Sequence, residues 1–449
     1  MNSGSFNDQL NAISVKDRAC KTLPNGWVYK RLGYLSSNEA NSFVDGPFGS
    51  DLKSEEYTDS GIPLIQLNNI KIGRQDNANL KFISEDKRDQ LRRHIARPGD
   101  LVIAKMADPV ARVTIVSSEF DQYVIVADCV KLSLDETLIN SDFAVFAINS
   151  HPINVDAQLV STGTTRVRIS LTELKKLAIP YPPRELQNLI SSFLTLQTKK
   201  LDGLIEEKQR FIDLLKEKRQ ALISHYVTKG LNPNVKMKDS GVEWIGEVPE
   251  HWDVKKIKHI FHYITDKESC KNRFTIALEN IESKTGNLVK TDSEYDADGV
   301  PFVNGDTLFG KLRPYLEKVY FCKKDGMSFG DILVFRPSDK LHPEFGYYLM
   351  SNSEMIKVID SSTFGTKMPR ANPDYIRNMW HSIPSKREQR EIVEFLNKKL
   401  INYQNIQDET KKSIELLKEH RTALISAAVT GKIDVRDIVN NQGIESCQV

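Results

Sequence analysis

Two kinds of hydrophobic pattern alternate along the chain, and each occurs twice. The first is a series of short apolar stretches: IPLIQL (62–67), LVIA (101–104), VTIV (113–116) and YVIVADCVKLSL (123–134), then VPFV (300–303), KVYFC (318–322) and DILVFRP (331–337). Turn residues separate them, as PGD at 98–100, NGD at 304–306 and KKDG at 323–326, so they read as strands. Shorter helical patterns, Glu85 to His94 and Pro343 to Ser351, make each region a mixed α+β domain.

The second pattern has a seven-residue period. Leu201, Leu204, Phe211, Leu215 and Leu222 follow it in one long segment, and Tyr403, Ile406, Leu417 and Leu424 in another. Lys208, Lys218, Thr410, Ser413 and His420 interrupt the apolar seam, which predicts an imperfect coiled coil. Pro182-Pro183 and Pro384 mark helix starts, where a missing N–H costs least. Ser385 followed by Glu388 makes a capping box that the first copy lacks. Gly230 and Gly431 stand where helices stop. Gly203 inside the first helix costs roughly 1 kcal/mol against Ala. A helix from about Glu185 to Thr228 spans roughly 66 Å at 1.5 Å per residue, a length that suits a spacer.

The two patterns belong to one repeat. At a constant offset of 202, Gly163 to Thr228 aligns with Gly365 to Thr430 without a gap, and 12 of the 17 positions from Ile212 to Thr228 are identical to their partners. Pro182 meets Pro384, Gln187 meets Gln389 and Arg168 meets Arg370. Upstream, Pro24-Asn-Gly-Trp27 echoes Pro249-Glu-His-Trp252, Leu67-Asn-Asn-Ile70 echoes Leu278-Glu-Asn-Ile281, and Gly99-Asp100 with Lys105 echoes Gly305-Asp306 with Lys311. The chain therefore divides into a first domain (1–184), a first spacer helix (185–231), a second domain (232–386), a second spacer helix (387–435) and a tail (436–449).

Composition narrows the class. With 40% hydrophobic and 27% charged residues the chain has an ordinary globular balance. A net charge of +2 requires any nucleic-acid contact to come from local patches. Cysteines at 20, 129, 270, 322 and 447 form no CxxC pair, which argues against a zinc ribbon or a disulfide framework and for a reducing cytoplasm. No apolar run reaches the roughly 18 residues of a membrane helix, and MNSGSFNDQLNAISVKDR is not read as a signal peptide.

Catalytic signatures are not found. The sequence contains neither GxxxxGK[ST] nor a GxGxxG after a strand. Asn372-Pro373-Asp374-Tyr375 resembles the Asn-Pro-Pro-Tyr loop of adenine methyltransferases but lacks the second proline and a glycine-rich cofactor loop. Glu206-Glu207-Lys208 matches part of a nuclease site yet sits in the heptad helix, where a solvated face is the simpler reading. His259 and His262 could share a helix face, but no third metal ligand stands near them.

The candidate binding chemistry lies in two matched clusters. Ser161-Thr162-Gly163-Thr164-Thr165-Arg166 with Arg168 corresponds to Ser362-Thr363-Phe364-Gly365-Thr366-Lys367 with Arg370. Glycine lets backbone approach a phosphate, and hydroxyls, Lys and Arg supply donors. Arg can also pair bidentately with guanine, worth about 1–3 kcal/mol of discrimination. A Gly-Thr turn with solvated charges is the plainer alternative, and it too would be duplicated.

Taken in order, PxxW, Gly-Asp-x-x-x-x-Lys and Gly-Thr-x-x-x-x-Arg leading to Ile-Pro and a Glu/Gln-rich helix start resemble the specificity subunit of type I restriction–modification enzymes. LENIESKTG (278–286), GDTLFGKLRPYLEKV (305–319) and GTKMPRAN (365–372) are especially similar. The resemblance runs from about Pro24 to Asp434. It implies an α+β fold of two target-recognition domains held apart by two antiparallel coiled-coil helices with pseudo-twofold symmetry. Each domain would read one half of a split double-stranded DNA site. The chain itself would not be catalytic. It would dock two adenine-methylating subunits and a motor nuclease, and S-adenosylmethionine, ATP and Mg²⁺ would belong to those partners. Candidate DNA contacts are Lys105, Thr164, Arg166 and Arg168 in the first domain, and Lys311, Arg313, Tyr315, Thr366, Lys367 and Arg370 in the second. Lys105-Met-Ala-Asp-Pro-Val departs from the family's Lys-x-Arg-Pro-Tyr, so Arg313 and Tyr315 have no first-half equivalents. A helical adaptor that binds proteins but not DNA, and a stand-alone endonuclease or methyltransferase, are the competing readings.

Overall fold

The computed structural model describes residues 23–106, 108–163, 167–269, 273–291, 298–363 and 367–442, with residues 440–442 as backbone only. The chain forms two compact units, residues 1–205 with 415–449, and residues 206–414. The divisions therefore fall inside the two long helices, Arg184–Lys229 and Lys386–Val429, rather than at their ends.

In the first unit one four-stranded sheet is antiparallel, in the order Phe43–Asp45, Cys129–Leu132, Leu101–Ala104, Val113–Ile115. A second sheet runs Lys81–Ile83, Ile62–Ile65, Tyr123–Ile125, Ile95–Ala96, and its two middle strands are parallel. The apolar run 123–134, predicted as one strand, is two. It breaks at Val126–Asp128, where the chain leaves one sheet and enters the other. Among the described residues the second unit repeats this topology with one strand fewer in its second sheet. Phe261–Ile264, Ile332–Pro337, Thr307–Gly310 and Val319–Phe321 form the antiparallel sheet. Gly326–Ser328 lies parallel to Thr275–Ile276 and antiparallel to Val300–Phe302. The crossing from sheet to sheet falls at Phe329–Asp331.

Each unit buries its own core. Leu101, Val130, Phe143 and Ile190 pack with Ile425 and Val429 in the first. Trp252, Phe335 and Phe345 pack with Ile223 and Ile392 in the second. The repeated motifs hold these cores to the long helices. Gln187, fully buried, accepts from the Asn140 N–H and donates to the Pro182 carbonyl, both at 2.9 Å. Gln389 does the same with the His342 N–H (2.7 Å) and the Pro384 carbonyl (2.9 Å). Each glutamine thus satisfies backbone at the start of a neighbouring helix. The PxxW tryptophans pack on helix ends. A Cβ on Gly230 would lie 3.1 Å from the Trp252 ring, and one on Gly431 3.3 Å from the Trp27 ring. Both glycines end their helices with positive φ, as a left-handed C-terminal cap requires.

The long helices pair antiparallel within each unit. Asp202 of the first helix bonds Arg421 of the second in one unit, and Tyr226 meets Phe395 at 4.7 Å in the other. The seam differs from the predicted one. Leu204, Phe211 and Ile406 are 46%, 45% and 41% exposed, outside the seam, whereas Ile212, Gln407, Thr410 and Ile414 are buried. Leu215 is buried, and Leu201, Leu222, Tyr403, Leu417 and Leu424 are half-buried. The period of seven holds, but the inward step from Leu201 is four residues to Ile205, not three to Leu204. A seven-residue count leaves that choice open, and the apolar identity of Leu204 and Phe211 pointed to the wrong one.

Candidate nucleic-acid interface

The sheet crossing builds the candidate site. In the first unit Val126 N–H donates to Ile65 (3.1 Å), extending the parallel pair, and Lys105 N–H donates to the Asp128 carbonyl (2.9 Å). In the second, Phe329 N–H donates to Ile276 (3.0 Å) and Lys311 N–H to the Asp331 carbonyl (2.9 Å). A further strand segment closes the frame: Ile169 N–H bonds the Lys105 carbonyl (3.0 Å), and Ala371 N–H the Lys311 carbonyl (2.8 Å). Asp128 and Asp331 are thereby held at matched points, and each meets the arginine that precedes the closing residue. Arg168 Nη2 lies 3.0 Å from Asp128. Arg370 binds Asp331 through Nε (3.2 Å) and Nη2 (3.1 Å), with Lys311 Nζ at 3.4 Å from the same carboxylate.

A cleft of about 410 Å³ opens beside each aspartate. Its floor is the sheet crossing, and its rim is the Leu-x-Asn-Ile turn after the parallel strand. In the first unit Pro47 and Gly49 form another wall, and Phe48 between them is 79% exposed. Gly46 is required there, since a Cβ would lie 2.0 Å from the Val126 carbonyl oxygen. In the second unit Arg313, Leu316 and Lys318 form that wall. Lys318 donates to the Leu278 carbonyl at 2.8 Å, and burial lowers its pKa against the raising effect of Glu279.

The predicted site residues divide accordingly. Arg313, Tyr315 and Lys367 are exposed, and Arg313 Nη2 reaches the Lys367 carbonyl at 3.4 Å. Arg313 lines the cleft from a left-handed backbone (φ 51°), uncommon for a non-glycine residue. Arg168, Lys311 and Arg370 surround the cleft aspartates. Lys105 is only 6% exposed, and its ammonium bonds Asp45 at 2.9 Å, so in this conformation it anchors the Asp45–Gly49 loop rather than facing solvent. Thr164, Arg166 and Thr366 lie outside the described residues. Sequence reasoning missed Asp45, Asp128 and Asp331, which pair with Lys105, Arg168, Lys311 and Arg370. The Gly-Asp motif is structural: Asp306 is buried and binds Arg336 bidentately at 3.0 and 2.8 Å. Cys129 and Cys322 are buried, and burial pushes the Cys129 thiol up to about 12. Among the described residues no three His, Cys, Asp or Glu side chains gather as a metal site, and no helix is long and apolar enough to cross a membrane.

The family model described as "Type I restriction modification DNA specificity domain" matches residues 62–214 and again 249–416. The MjaVIII type I restriction enzyme specificity subunit of Methanocaldococcus jannaschii is 24% identical over 333 residues, 69% of this chain and 74% of that protein. The EcoDI specificity subunit of Escherichia coli is 18% identical over 323 residues, 67% of this chain and 72% of that one. A solved chain from work on complex assembly and conformational transition of the type I R-M system superposes with a TM-score of 0.66 at 14% identity, covering 92% of this chain and 100% of that one, which shows the shared fold.

Proposed function

The chain belongs to the family of type I restriction–modification DNA specificity subunits, with two tandem target-recognition domains, and from that membership we propose how it divides its work. Each compact unit reads one half of a bipartite duplex through its cleft and the surrounding basic side chains. The observation that carries this is the duplicated frame: the same crossing, the same Asp–Arg pair and the same cleft occur in both units. A turn kept only for folding would repeat the backbone, but it would not need half-exposed guanidiniums beside an open cleft twice.

The long helices serve the partners. Leu204 and Leu416 are exposed in the first unit, and their equivalents at the 202 offset, Ile406 and Leu214, are exposed in the second. Two matched apolar pairs suit two copies of one adenine-methylating subunit, with a motor nuclease completing the complex. Methyl donor, ATP and Mg²⁺ bind those partners, and the assembly works in the cytoplasm. The adaptor alternative leaves the paired recognition domains without a role.

The test is the methylome of a host carrying this chain with its methylating partner. A split motif with methyladenine in both halves is expected. A continuous motif, or salt-insensitive binding of duplex by the complex, would overturn the reading, because phosphate contacts release counterions.

A further inference from the structure

The turn at the rim of each cleft is the same object built twice. Gln66-Leu67-Asn68-Asn69-Ile70 corresponds to Ala277-Leu278-Glu279-Asn280-Ile281. Asn69 Oδ1 accepts from the Gln66 N–H at 2.9 Å, and Asn280 Oδ1 from the Ala277 N–H at 2.8 Å. Both turns are single 3₁₀ turns, Leu67–Asn69 and Leu278–Asn280. Ile70 and Ile281 are both fully buried. The asparagine and isoleucine hold the turn, and they are unchanged between copies. The residue between leucine and asparagine makes neither of those two hydrogen bonds. It is exposed, it lines the cleft, and it differs: Asn68 in one unit, Glu279 in the other.

A reader of two different half-sites needs such positions, fixed in space by a common scaffold and free in chemistry. The two side chains also complement different bases. A carboxamide pairs bidentately with adenine N6 and N7, whereas a carboxylate accepts from cytosine N4. The setting of Glu279 supports this, since Arg313 and Lys318 line the same cleft and offset its charge near a polyanion.

We propose that Asn68 and Glu279 are base-reading residues at matched positions, Asn68 selecting an adenine in one half-site and Glu279 a cytosine in the other. This rests on the reading that each unit recognises one half of a split duplex.

The experiment uses the full complex with its methylating partner and a library of duplexes randomised in both half-sites, sequenced after methylation. Asn68→Ala should relax discrimination about tenfold or more at one A·T position of one half-site, leaving the other half intact as an internal control of folding. Glu279→Ala should do so at one C·G position of the other half. Asn68→Glu should shift the relaxed position towards cytosine. Both alanine variants keeping the wild-type motif would overturn the proposal while leaving the split-site reading standing. Loss of selectivity in both halves together would give these residues a structural role and also overturn it. Failure of the wild-type complex to methylate a split motif would instead overturn the underlying reading.

Discussion

Replacing Asp331 with Asn separates a folding role from a reading role. The carboxylate accepts from Arg370 Nε and Nη2 and lies 3.4 Å from Lys311 Nζ. The Arg370 side chain is 53% exposed, so solvent screens the pair, and its loss should cost stability about 1 kcal/mol or less. For a unit of this size that lowers the melting temperature by roughly 2–4 °C. The effect on DNA should be of opposite sign. Removing one negative charge frees a guanidinium for phosphate. One more neutralised phosphate steepens the slope of log K against log salt by about 0.9. Between roughly 50 and 200 mM salt, the variant should therefore lose about 3.5-fold more affinity than the wild type, while binding non-cognate duplex more tightly at low salt. Discrimination should fall in one half-site only. A salt titration of the methylating complex on cognate and non-cognate duplexes measures all three quantities. An unchanged slope with unchanged discrimination would refute the idea that Asp331 restrains Arg370 beside the DNA.

Burial holds the His381 imidazole down at about 4, and its Nε2 has no hydrogen-bond partner among the described residues. The unfolded chain takes up that proton below about pH 6.5 while the folded one resists, so stability present above 6.5 should fall by roughly 3 kcal/mol as pH drops to 4. His381→Phe should flatten that slope in denaturant titrations, and an equal slope in the variant would place the acid sensitivity elsewhere. Gly431 has φ +68°, and a Cβ there would lie 2.4 Å from Pro24, whereas at Gly230 (φ +74°) the nearest atom is 3.1 Å away. Gly431→Ala should therefore cost about 1–3 kcal/mol and exceed Gly230→Ala in thermal melts; the reverse order would contradict the packing. Deleting one heptad from each long helix shortens it by about 10 Å and should shorten the gap in the methylated motif. An unchanged gap would dismiss the helices as its ruler.

The repeat, the mixed domains and the long helices were legible because each is written locally. A seven-residue period, a proline before a helix and a glycine after it follow from the reach of neighbouring residues along the chain. The LNNI and LENI echoes were legible too, but only as landmarks. The difference inside them, Asn68 against Glu279, was the available signal for a rim position, and its meaning needs the cleft. The seam shows the same limit. Leu204 and Ile205 both satisfy the period, and only the partner helix decides which one faces inward.

What sequence alone determined, then, is the plan: two α+β regions, two spacer helices, one phrase used twice. Tertiary structure decided which charges are available. Lys105 and Lys311 hold equivalent places in the sequence, yet one is buried against Asp45 and the other reaches the half-exposed pair of Asp331 and Arg370. Asp45 is 60 positions from Lys105, and Asp331 is 39 from Arg370. No local pattern records such pairings, because a charge is spent or kept by whatever the fold brings within about 4 Å of it.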